Sequence, residues 1–316
     1  MTVGNMLTVV LAPSKLRYNA NRSLTKTRTI RASLTAFFSV FLACLLFVGV
    51  QVFAVIWSSH NMVYASEQSF VFTPITDQNS SATKVLNTEQ VNPVEVQAIV
   101  DSWVKKYQQK ASVTILDTVS GQVLASSQSD KQYFTASIYK LYVAYVSIQD
   151  IDAGLNDGNQ LFLNGYTRFD CITRMIQYSD SPCAEKMMNE MGKNTLQSRL
   201  TALGLTNTSM ASFMTTTADA ALVTKKVATG EGLSSLSTKR LQDAMSNQQH
   251  RTGLPSGFNN MKVGDKVGFS ETDWHDSANV SPKSGHTFTV TVFTENMRSG
   301  NIAELARQLQ PILEKA

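Results

Sequence analysis

The sequence predicts an α+β domain, an antiparallel sheet flanked by helices with an all-helical lobe inserted between its early and late strands. Three observations carry this. Two short runs of strand-forming residues, 112–117 and 122–126, lie early and are joined by a turn at Ser120 and Gly121, a hairpin signal. Three more runs, 261–270, 277–281 and 287–294, lie late, and in the last of them Phe288, Val290 and Val292 alternate with threonines. Between the two groups, from Ser137 to about Gln248, the pattern is mostly helical and rich in methionine.

Each element has its own signal. The domain opens with a helix over 93–109, which places Val96, Ile99, Val100 and Trp103 on one side. After the hairpin, Leu141, Ala144, Tyr145 and Ile148 recur at helical spacing, and Tyr142, Val143 and Val146 leave almost no polar face. That is the pattern of a helix buried in a core. Met175, Met187, Met188 and Met191 read as core filler rather than metal ligands. A closing helix over 302–313 sets Leu305, Leu309 and Ile312 on one face.

Upstream of this domain the composition changes twice. Residues 33–57 are apolar apart from Ser33, Thr35, Ser39 and Gln51, long enough to cross a bilayer as a transmembrane helix. The preceding residues 1–32 carry Lys15, Arg17, Arg22, Lys26, Arg28 and Arg31, and the first acidic residue of the chain is Glu67. A basic flank of that kind stays in the cytoplasm, so the expected organisation is a cytoplasmic leader (1–32), an anchor (33–57), an extracytoplasmic linker (58–92) and an exported domain (93–316) at the cell membrane. A cleaved signal peptide ending near Ala65 is the competing reading. The linker is rich in Ser, Thr, Asn and Gln with no sustained apolar period, as a tether needs. The formal charge of +4 belongs to the leader, since removing its six cations leaves 22 basic against 24 acidic residues. Nothing in the exported part has the basic patch or the basic-aromatic interleaving of a nucleic-acid binder.

The chemistry begins at Ser137 and Lys140. Three residues apart at the start of an apolar helix they share a face, with Ser137 expected in the first turn, where free N–H groups and the positive end of the dipole favour an oxyanion. A lysine among apolar groups and near a second cation gives up its proton more easily and can serve as a base. Cys44 lies in the apolar segment, which leaves Cys171 and Cys183 as the exported pair. On one straight helix they would stand ~18 Å apart. If the chain doubles back at residues 179–182, where Pro182 suits the first turn of a new helix, a disulfide can form; two buried thiols are the alternative. His60, His250, His275 and His286 show no metal spacing, His275 is expected in a solvated turn with a place lining the cleft as the alternative, and no metal or cofactor is implied.

Three spaced elements give the domain a resemblance to the penicillin-recognising serine hydrolases, and within them to the class A β-lactamases. Ser137-Ile138-Tyr139-Lys140 matches the S-x-x-K element, Ser179-Asp180-Ser181 stands where that family has S-D-N, and Lys266-Val267-Gly268 stands for K-T-G on a late strand. The resemblance covers nearly all of residues 93–316 and implies an acyl-enzyme mechanism. Ser137 would attack a strained or activated amide carbonyl, and the N–H groups of Ser137 and Phe269 would hold the oxyanion. Ser179 would relay a proton to the leaving nitrogen. Lys266 would hold a substrate carboxylate, Ser181 and Val267 would position substrate, and Gly268 would keep the way clear. The implied partner is a small molecule, a β-lactam or a D-alanyl peptide.

The departures are as informative. Ser181 lacks the amide of the family's Asn, and Val267 lacks the hydroxyl of its Thr, a hydrogen bond worth roughly 0.5–3 kcal/mol. The family's deacylating Glu sits on a long loop, but residues 204–217 are short and hold no acidic residue. Glu185 and Glu190 suit a helix surface, Glu231 lies in a Gly-flanked turn, and neither these nor Glu271 has the expected position. Three functions follow as expectations: a serine hydrolase that turns over β-lactams slowly, a penicillin-binding peptidase, or a non-catalytic cell-wall module on the same fold.

Overall fold

The computed structural model describes residues 91–316. The leader, the apolar segment and the linker expected upstream lie outside the described residues. Among the described residues no helix is long and apolar enough to cross a membrane.

The chain enters through helix α1 (Pro93–Lys106), capped by the Asn92 side chain and started by Pro93, whose missing N–H costs nothing at that position. It ends short of the expected Gln109 because Gln108 and Gln109 adopt left-handed backbone, φ 56° and 61°, and turn the chain into β1 (Ala111–Asp117). The hairpin to β2 (Val123–Ser127) follows, with the Asp117 carboxylate accepting from the N–H groups of Val119 and Ser120, and Gly121 left-handed. A short strand β3 (Tyr133–Phe134) then leads to helix α2 (Tyr139–Asp152).

The lobe continues with the small hairpin β4 (Leu161–Leu163) and β5 (Tyr166–Thr167), then α3 (Arg168–Gln177), α4 (Ser181–Met191) and α5 (Lys193–Ala202). Strand β6 (Met214–Thr215) pairs with β3, and α6 (Thr217–Thr229) and α7 (Ser235–Ser246) return the chain to the sheet. The single turn α8 (Leu254–Gly257) precedes β7 (Lys262–Phe269), β8 (Trp274–Ser281), β9 (Phe288–Thr294) and the closing helix α9 (Ser299–Leu313).

The five long strands form one antiparallel sheet in the order β2-β1-β9-β8-β7, which puts β7 at an edge. Strand β8 starts three residues earlier than the sequence suggests, since the β7–β8 turn is closed by Ser270 N–H donating to Asp273 O at 3.1 Å. One face of the sheet packs on α1 and α9, with Val96, Val100, Trp103, Leu305 and Leu309 against Val113, Ile115, Val290 and Val292. The lobe has its own core around α2, in which every residue from Tyr139 to Ile148 is buried and Met175, Met187 and Met188 fill between helices. Lobe and sheet meet where α6 lies along β9, β1 and β8 and α7 packs on β7, with the turn that carries Ser137 beside Gly268 of β7.

Candidate active site

Ser137 does not sit within the helix. It occupies a tight turn ahead of α2, where Ile138 N–H donates to Thr135 O at 2.9 Å and Lys140 N–H donates to Ser137 O at 3.3 Å. Ala136 is left-handed, φ 43°, a strain of about 1–3 kcal/mol for a residue with a Cβ. The surroundings fix this turn. Thr135 N–H donates to Phe213 O at 2.7 Å, and His275 Nε2 bonds Phe134 O at 3.0 Å.

His275 corrects an expectation. It lies on β8, 2% exposed, and its Nδ1 accepts from Thr294 N–H at 3.2 Å. That leaves Nε2 as the protonated nitrogen, donating to Phe134 O. Burial lowers the imidazole to about 4, so it is a neutral brace behind Ser137 and not a solvated turn residue.

The Ser137 N–H donates to no protein acceptor among the described residues, and Gly268 lies across from it. A Cβ at Gly268 would come within 2.8 Å of Thr135 O and 2.9 Å of Ser137 N, so only glycine lets β7 approach this turn.

Lys140, in the first turn of α2 and 2% exposed, brings three stretches of chain together. Its ammonium donates to Ser137 Oγ at 2.8 Å, Ser179 O at 2.8 Å and Ser181 Oγ at 3.0 Å. Three donors meet three acceptors. When the amine is neutral it can keep the bonds to Ser179 and Ser181 and turn its lone pair to the Ser137 hydroxyl. Burial makes this accessible by lowering the lysine to about 8, against the opposing fields of Glu185 and Asp180.

Ser179 is left-handed, φ 56°, in the break between α3 and α4. This conformation lets one residue face two ways: its carbonyl toward Lys140, and its hydroxyl toward Lys266, whose Nζ donates to Ser179 Oγ at 2.6 Å. The α4 N-cap is Asp180, which accepts from Cys183 N–H at 3.0 Å and pairs with Arg174 Nε at 3.1 Å. The Cys171–Cys183 disulfide ties α3 to α4 across this break, with Cα atoms 5.1 Å apart.

Lys266 on β7 is wholly buried and also donates to Val267 O at 2.6 Å. Burial and the Lys140 charge lower it to about 7. Strand alternation sends Lys266 and Gly268 toward the lobe and Asp265, Val267 and Phe269 to the other face. Val267 is covered completely, and Asp276 stands opposite it on β8. Asp276 accepts from Leu254 N–H at 2.8 Å, Asp265 accepts from Arg251 at 3.0 Å, and each keeps one buried carboxyl oxygen unpartnered. Burial pushes both carboxyls up, in Asp265 against the opposing charges of Arg251 and Lys266, and in Asp276 with the Asp265 charge adding to it. Sequence reading missed this acid pair; its signal was a carboxylate at 265, alternating with Val263 and Val267 on one strand face.

Around the site, Ser181 reaches Lys140 and Phe269 lies at the rim, 41% exposed. Of the other carboxylates weighed, Glu190 pairs with Arg168 and Glu231 with Lys226, while Glu185 lies exposed on α4. A cavity of 220 Å³ between α2, α3 and α4, reached by Asp150, Arg168 and Glu190, shares no residue with the site.

Comparisons with known proteins agree with the fold. The chain covers 98% of an ancestral class A β-lactamase at 20% identity and TM-score 0.63, over 68% of its own length. A β-lactamase from Desulfarculus baarsii matches at 14% identity and TM-score 0.64, covering 70% of this chain and 98% of that one. PBP-A matches at 20% identity and TM-score 0.61, covering 69% and 97%. No curated protein matches the sequence. The profile described as the Beta-lactamase enzyme family matches residues 95–311, and the chain belongs to that family.

Proposed function

We propose that this protein is a membrane-anchored, extracytoplasmic serine hydrolase that forms an acyl-enzyme on Ser137 with β-lactam or related amide substrates and releases it slowly. The observation that carries the reading is the hydrogen-bonded chain from Ser137 Oγ through Lys140 Nζ to Ser179, and from Ser179 Oγ to Lys266 Nζ. In this reading neutral Lys140 takes the Ser137 proton as Oγ attacks the carbonyl carbon. The carbonyl oxygen becomes an oxyanion held by the N–H groups of Ser137 and Phe269. The C–N bond then breaks as Ser179, backed by Lys266, delivers a proton to the leaving nitrogen. Slow release is favoured by residues 204–217, which offer no carboxylate to activate water.

The same absence, together with the likeness to PBP-A, favours a second reading, a D,D-peptidase-like cell-wall enzyme. A fluorescent penicillin tests both. Covalent label on the wild type and none on Ser137→Ala is the expected result; no label on folded wild type leaves only a non-catalytic module. Adduct lifetime and activity on D-alanyl-D-alanine peptides separate the first reading from the second.

A further inference from the structure

The cavity between α2, α3 and α4 is separate from the cleft, and helical spacing builds it. Ser147 and Ile151 stand four apart on α2, Arg168 and Ile172 four apart on α3, and Met187 and Met191 four apart on α4, so each helix turns one face to the same space. Its volume of 220 Å³ has room for about seven waters and falls below the ~300 Å³ at which pockets for drug-sized ligands begin. Any occupant is therefore small.

Two kinds of surface line it. Ile172 and Met187 belong to the lobe core, while Ile151 and Met191 pack on that core and stay partly open. The polar groups have unused capacity. Ser147 is only 9% exposed, yet its hydroxyl has no hydrogen-bond partner among the described residues. The Asn156 amide, from the loop after α2, has none among them either. Asp150 meets Arg199 through Oδ1 alone, and Arg168 gives both Nη groups to Glu190 while its Nε–H is buried without an acceptor.

The charges at this cavity are matched in pairs, Asp150 with Arg199 and Arg168 with Glu190. An added ion would enter without a counter-charge, which is costly in a half-enclosed site. An uncharged group that both donates and accepts meets Ser147, Asn156 and the second oxygen of Asp150 as they stand. Water can satisfy the polar wall but not the apolar one, and displacing loosely held water from apolar surface favours binding.

We propose that this cavity is a second binding site, for a small uncharged molecule with a primary amide head and a short apolar tail, the head on Ser147, Asp150 and Asn156 and the tail between Met187 and Met191. It requires no acylation of Ser137, so it stands apart from the chemistry of the cleft.

Pentanamide is the probe, with pentanoate and pentylammonium as its charged counterparts, followed in the full-length protein by the signals of methyl-labelled methionine and by the thermal midpoint. Saturable shifts of the Met187 and Met191 methyls are expected, with a dissociation constant of about 1–10 mM, the range for so small a ligand, and a midpoint that rises with its concentration. Each charged counterpart should bind at least about tenfold more weakly. Ser147→Leu, whose side chain fills the cavity, should abolish the shifts, and Asn156→Ala should weaken binding about three- to tenfold. If Ser147→Leu does not fold, Asn156→Ala decides. No saturable shift at Met187 and Met191, a charged counterpart that binds as tightly as pentanamide, or an affinity that the folded variants leave unchanged overturns the inference.

Discussion

Lys140 and Lys266 are both buried and both converge on Ser179, yet they stand in unlike surroundings. Lys140 rises from a helix whose neighbours are apolar, and it finds an oxygen for each of its three donors. Lys266 sits on an edge strand beside Lys140, Asp265 and Asp276, and two of its three donors go to oxygens of Ser179 and Val267. The lobe end of the cleft joins Ser137, Lys140, Ser179 and Ser181 in one hydrogen-bonded set. The sheet end holds Lys266 and Gly268, with a covered valine between them and the buried acids Asp265 and Asp276 behind. In a cleft of this design, activation and recognition are separable: one depends on a few charge-assisted bonds in an apolar wall, the other on which side chains the strand shows.

Four experiments probe that contrast. The largest effect is expected from Lys140→Met, which should lower the acylation rate about 10²- to 10⁴-fold, the usual contribution of a positioned base. Its thermal midpoint should hold or rise, because a buried amine is exchanged for apolar atoms; a midpoint drop in proportion to the rate would make Lys140 a structural residue. Next, Gly268→Val should cost about a hundredfold in acylation and about 1–3 kcal/mol in stability, since its Cβ meets backbone atoms of Thr135, Ser137 and Ile138 that cannot yield. Wild-type rates would show that the sheet end does not press on the nucleophile.

The third is pH. Burial lowers Lys140 to about 8, and in the proposed mechanism the neutral amine is the base. The acylation rate should therefore rise about tenfold per pH unit from 6 toward 8 and level off above. A flat profile across that span would remove Lys140 as the base. The smallest effect on rate is expected from Cys171→Ser with Cys183→Ser. Loss of a cross-link of this span should cost about 2–3 kcal/mol of stability, read as a lower thermal midpoint, with only a few-fold change in acylation. A loss as large as that of Lys140→Met would show that the bridge, more than the lysine's own bonds, holds Ser179 in place.

Much of the fold was legible because its signals are local. Tyr139 to Ile148 reads as a buried helix from hydrophobic spacing, Phe288 to Phe293 as a strand from alternation, and Pro182 as a helix start from its missing N–H. The elements that misled were set by distant contacts. Ser137 fell outside α2 because Phe213, His275 and Gly268, far along the chain, hold residues 134–137 in a turn. His275 reads as a polar residue in a turn, and only pairing with β9 shows it as an interior brace.

The layered α+β plan, the helical insertion, the three spaced elements and the residues missing from them follow from residue order, because each of these is written in neighbouring side chains. Folding decided that Lys140 holds Ser137, Ser179 and Ser181 at once, that Lys266 gives two donors to Ser179 and Val267, and that Asp265 and Asp276 lie behind it. The reason is physical. Proton affinity and donor availability depend on burial and on which charges come within a few ångströms, and those follow from how the chain folds back on itself rather than from the order of its residues.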